Sequence, residues 1–125
     1  MRMSDAVRHL PVVCLIAAFI AWTAPAMGHA QAEREVPSAG ATLSRPPALV
    51  SIYFDSELEP LFSRLTVRNV HGEKVSVGSG KVAQDNPRLL AARLSRLSKG
   101  TYRVYWDVVA RDGHRAKGDY TFTVQ

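Results

Sequence analysis

Three stretches of this chain alternate apolar and polar residues with a period of two, and that pattern decides the fold class. Val50, Ile52 and Phe54 alternate with Ser51 and Tyr53. Tyr102, Val104, Trp106 and Val108 alternate with Arg103, Tyr105 and Asp107, and Tyr120, Phe122 and Val124 with Thr121 and Thr123. Successive side chains of an extended strand point to opposite faces, so each run offers one apolar face. Leu65 and Val67 repeat the pattern within 61–70, between Arg64, Thr66 and Arg68. Further short strands are predicted at 74–77, 81–84 and 88–94, with the strand from Tyr102 ending near Ala110 and the last running from Gly118 to Val124. Turn signals separate them: Pro37 to Ala41, Asn69 to Glu73, Gly78-Ser79-Gly80 as a turn or bulge, and Asp85-Asn86-Pro87. About seven short strands with frequent turns predict an all-β, antiparallel Greek-key sandwich or barrel. Leu97, Gly100 and Tyr102 have the spacing of a tyrosine corner, a feature of such folds.

The first 28 residues follow different rules. A polar stretch with Arg2, Arg8 and His9 precedes the apolar run Val12 to Trp22, and Ala26 and Gly28 stand at −3 and −1 of a cleavage site. This predicts a secretory signal peptide over 1–28 and a domain over 29–125. Ala26 and Ala30 are competing cleavage positions. The apolar run is short for a bilayer span and no second one follows, so the processed protein is expected to be soluble and exported, in the periplasm. Cys14 and all three methionines (Met1, Met3, Met27) lie before His29. The processed domain therefore has no disulfide, no thiolate and no sulfur ligand for soft Cu(I). Sixteen Lys and Arg less Arg2 and Arg8 leave 14, and eleven acids less Asp5 leave 10, a net charge of +4. The basic residues are scattered along the sequence without interleaved aromatics, which argues against a nucleic-acid partner.

The chemistry concentrates in Asp112-Gly113-His114, the turn between the last two strands. Residues i and i+2 of an extended segment point the same way, so the carboxylate and the imidazole can meet one ion. Two donors are too few for a metal site. Cleavage after Gly28 would add two more, because the α-amine and Nδ1 of His29 can chelate one metal. An α-amine has a pKa near ~8, so a metal can displace its proton near neutrality. Three nitrogens and one oxygen in a roughly square set suit one Cu(II) ion. Each piece alone has a plainer reading: Asp-Gly-His as an ordinary turn, His29 as a residue beside a cleavage site, His71 as a hairpin-tip side chain. Asp55, Glu57 and Glu59 read as a solvated acidic loop. No catalytic residues stand out in a recognisable arrangement.

Taken together, His29, Pro37-Ser38-Ala39-Gly40-Ala41, Val50-Ser51-Ile52-Tyr53-Phe54, Leu97-x-x-Gly100-x-Tyr102-x-Val104-x-Trp106, Asp112-Gly113-His114 and Gly118-x-Tyr120-x-Phe122-x-Val124 resemble the CopC family of periplasmic copper-binding proteins. The resemblance covers nearly all of 29–125. It implies a cupredoxin-like or immunoglobulin-like sandwich, Cu(II) held by His29, Asp112 and His114, and a non-enzymatic role as copper carrier in resistance or homeostasis. A membrane copper transporter of the CopD type is the partner it suggests. Some members carry a methionine-rich Cu(I) loop, which does not carry over to this methionine-free domain, and His71 is not counted as a ligand. Two other readings stand beside it. One is a copper-dependent oxygenase, since an N-terminal histidine chelate also occurs in such enzymes; the other is a metal-free sandwich used for protein contacts.

Overall fold

A computed structural model describes residues 30–125; the predicted signal peptide and His29 lie outside them. Eight strands form two four-stranded sheets packed face to face. The first sheet runs β1 (Ala32–Val36), β3 (Leu49–Phe54), β6 (Leu89–Leu94), β5 (Ser76–Val82). The second runs β2 (Thr42–Leu43), β8 (Arg115–Val124), β7 (Gly100–Val109), β4 (Arg64–Arg68). All pairings are antiparallel except β2 with β8. The chain changes sheet after β1, β2, β3, β4 and β6, which gives the expected Greek-key sandwich.

The alternation read from the sequence is the burial pattern. Val50, Ile52 and Phe54 of β3 face Leu65 and Val67 of β4, Val104 and Val108 of β7, and Phe122 and Val124 of β8 across a shared core. Trp106 meets Phe54 edge to face at 5.3 Å and 79°. Its register partner on β8 is Gly118, and a Cβ there would lie 2.2 Å from the indole Cζ2. Glycine is what lets Trp106 lie flat on its neighbouring strand. On the outer face of the second sheet, Arg103 pairs with Asp119, and Arg115 and Lys117 both approach Asp107.

Three elements differ from the expectations. The stretches at 74–77 and 81–84 are one strand, β5, interrupted by a register shift between Val77 and Lys81. Gly78 and Gly80 adopt φ of +71° and +72° there, so of the turn or bulge expected the structure has the bulge, which keeps the strand on its partner. The last strand begins at Arg115 rather than Gly118, because cross-strand pairing with β7 extends to Val109↔Arg115. The stretch before Arg64 is a 3₁₀ turn over Pro60–Phe62, which Pro60 favours by fixing φ.

The tyrosine corner is present. The Tyr102 hydroxyl donates to the Ser98 carbonyl at 2.7 Å, and its buried ring stacks on Phe122 at 5.5 Å. Tyr102→Phe leaves that carbonyl without its partner and is expected to cost about 1–2 kcal/mol. Thermal unfolding would show a fall of several degrees, since ~1 kcal/mol shifts a domain of this size by about 4–8 °C.

Candidate metal centre

The strands β7 and β8 set the site by ending together. Ala110 to His114 closes their hairpin: the Ala110 N–H donates to the His114 carbonyl at 2.9 Å and the Gly113 N–H to the Ala110 carbonyl at 2.8 Å. Gly113 has φ of +90°, which a side chain would strain. Asp112 acts twice. Its Oδ1 accepts the His114 N–H at 3.0 Å, which shapes the turn, and its Oδ2 lies 3.0 Å from His114 Nδ1. Both side chains are about half exposed, 51% and 52%. The two side chains meet through a turn at Gly113 rather than through the extended segment that the sequence suggested.

Their spacing suits a metal. A first-row divalent ion sits about 2.0–2.1 Å from imidazole nitrogen or carboxylate oxygen, so adjacent donors of a square set lie about 3.0 Å apart. Among the described residues, no three His, Cys, Asp or Glu side chains gather as a ligand set.

The N-terminal segment comes in at this end of the sandwich. Ala30 is 1% exposed and belongs to the core. Ala30 and Gln31 line a shallow cleft with Trp106, Arg115 and Ala116, so the chain at Ala30 runs beside the residues that directly follow His114. Two hydrogen bonds hold it: the Gln31 N–H donates to Asp55 Oδ1 at 2.8 Å, and the Asp55 N–H to the Gln31 carbonyl at 2.9 Å.

The loop after β3 also reaches the other half of the site. The Arg111 N–H donates to the Glu57 carbonyl at 3.0 Å, and the Glu59 N–H to the Val109 carbonyl at 2.7 Å. Arg111 Nη1 meets Glu57 Oε2 at 2.6 Å. Residues 55–59 thus tie the N-terminal segment to the Asp112–His114 turn. Sequence reasoning took this stretch for a solvated acidic loop. The overlooked signal was Leu58, a lone apolar residue between two glutamates, which is fully buried and bridges to Ala110.

One other histidine is kept away from the site. His71 sits in the β4–β5 turn, where its N–H donates to Asn69 Oδ1. Arg68 pairs with Arg103, and Val109 is six residues further along β7, about 20 Å at strand spacing. Tyr120 is buried, and burial followed by the Glu35 carboxylate pushes its hydroxyl well above the usual phenol range.

The fold and the hairpin pair describe a small β-sandwich that carries a carboxylate–imidazole clasp beside its N-terminal segment. The chain belongs to the CopC family: the CopC domain model matches residues 32–125. It is 31% identical to Copper resistance protein C of Xanthomonas campestris pv. juglandis over 90% of this chain and 92% of that protein. It is 32% identical to Protein YobA of Escherichia coli K12 over 78% of this chain and 79% of that protein. Copper transport protein CutJ of Bacillus subtilis matches at 30% identity over 77% of this chain but 18% of that protein. Among solved structures, CopC from Methylosinus trichosporium OB3b superposes with a TM-score of 0.73 at 33% identity, covering 78% of this chain and 94% of that one.

Proposed function

We propose that this protein is a periplasmic carrier or buffer that binds one Cu(II) ion through the amine and Nδ1 of His29, His114 and Asp112, once residues 1–28 have been removed. The observation that carries this reading is the 3.0 Å approach of His114 Nδ1 to Asp112 Oδ2, at the end of the sandwich where Ala30 runs past Arg115 and Ala116. Position 29 is one residue from Ala30, and His114 one residue from Arg115. Relatives named for copper resistance and copper transport agree with copper as the cargo. Among the described residues no helix is long and apolar enough to cross a membrane. The copper is exchanged with a membrane transporter of the CopD type, and the copper domain acts by binding rather than by catalysis.

Nitrogen and oxygen donors favour Cu(II), whereas Cu(I) prefers thiolate and thioether. Trp106 is the single tryptophan of 29–125, and it lines the cleft beside Ala30 and Arg115, so bound Cu(II) should quench its fluorescence. Titration with a competing chelator is expected to give one Cu(II) per chain, with affinity rising with pH as metal displaces protons from amine and imidazole. Under reducing conditions Cu(I) should be held far more weakly. Tight Cu(I) retention at more than one equivalent would contradict the reading.

A further inference from the structure

An ion held by half-exposed side chains leaves by ligand exchange. The acceptor's donors must come within bonding distance while the first ligands still hold. The surface around Asp112 and His114 is then the surface the acceptor covers, and its composition describes the acceptor. Its neighbours in the chain and across the hairpin stem are mostly polar: Arg111 with Glu57, and Arg115 directly after His114. The 3₁₀ turn, whose flanking residues bond to Val109 just before the hairpin turn, differs: Leu61 is 85% exposed and Phe62 60%.

The turn is fixed in place. Glu59 before it donates its N–H to the Val109 carbonyl at 2.7 Å. Ser63 after it is buried, and its hydroxyl accepts from the Val109 N–H at 3.2 Å. Both anchors lie on the residue that precedes the Ala110–His114 hairpin turn. Two consecutive large apolar side chains on a rigid turn lose little conformational freedom on binding and leave water when covered. They contribute nothing visible to the core of this chain.

We propose that Leu61 and Phe62 form the apolar anchor by which this protein docks its copper-exchange partner. The partner is a protein surface with an apolar pocket and a cationic group beside it, answering the Glu59 carboxylate. This deepens the copper reading above and rests on it.

The test uses cells lacking the chromosomal gene, with cellular copper as the readout, and full-length secreted variants. Leu61→Ser combined with Phe62→Ser is expected to restore less than a tenth of the change in copper content that the wild-type gene restores. The purified double variant should keep its Cu(II) affinity within about twofold and an unchanged EPR spectrum. Val70→Ser is the control: Val70 is 71% exposed but lies in the hairpin at the far end of the sandwich, and it should restore copper fully. Full restoration by the double variant overturns the proposal. So does a tenfold loss of its Cu(II) affinity, which would make the turn part of the site's structure. Dimerisation of wild type in sedimentation velocity that the double variant abolishes also overturns it, in favour of a second copy as occupant. His114→Ala restoring copper as fully as wild type overturns the copper reading and the docking proposal together.

Discussion

Adding one alanine ahead of His29 is expected to weaken Cu(II) binding by roughly a hundredfold or more, several kcal/mol at ~1.4 kcal/mol per tenfold. The extension converts the His29 amine into an amide, a poor donor until deprotonated, so the chelate ring is lost. The chain cannot recover it by sliding. Ala32 is paired with Phe54, Gln31 is clasped at both N–H and carbonyl by Asp55, and Ala30 is buried. A one-residue slip would break the clasp and turn every β1 side chain to the opposite face. The extra residue therefore projects outward from a terminus, where it leaves stability unchanged. Isothermal titration of the two forms at one pH, with thermal melts alongside, separates loss of a ligand from loss of fold. The unprocessed precursor should bind as weakly as the extended form.

His114→Ala should be comparably damaging to the metal and nearly silent in the fold. Outer-shell partners of metal ligands already cost about 10–100-fold when removed, and a direct imidazole donor should exceed that. The side chain is half exposed on a hairpin turn outside the apolar core, so unfolding free energy should change by no more than about 0.5 kcal/mol. Asp112 separates into two roles. Asp112→Asn keeps an oxygen to accept the His114 N–H, which holds the turn, but removes the charge that attracts the cation. Its affinity should fall with the melting temperature unchanged. Asp112→Ala should lose affinity and loosen the hairpin as well. Chelator competition measures the first effect and amide exchange at Gly113 and His114 the second. Equal damage from His71→Ala and His114→Ala would mean that the ion is bound elsewhere.

The two-residue periodicity made most of the fold legible, because burial on one face of a strand leaves a direct trace in the sequence. The Tyr102 corner was legible for the same reason, since its spacing is tied to a specific hydrogen bond. Boundaries were less so. Gly78 and Gly80 read locally as either a turn or a bulge, and only pairing with β6 decides for the bulge. Lys117 and Arg115 gave no apolar signal to extend β8, because that side of the hairpin faces water and is held by the β7 register. At the site, Asp112 and His114 were legible as neighbours in one short turn, but they meet because the chain turns at Gly113 with φ of +90°, not because an extended segment points residues i and i+2 the same way. Asp55 and Glu57 could not be assigned their places, since their partners Gln31 and Arg111 are 24 and 54 residues away. The position of His29 rests on export chemistry, which strand patterns do not encode.

The most direct measurement is EPR of protein beginning at His29, loaded with one equivalent of Cu(II), in natural-abundance form and with ¹⁵N-histidine. The expected spectrum is that of a tetragonal Cu(II) ion with three strongly coupled nitrogens, all from histidine: the amine and imidazole of His29 and the imidazole of His114. The alanine-extended protein should lose the amine coupling. A spectrum with a single histidine nitrogen, or one identical in the native and extended proteins, would contradict a centre built on His29.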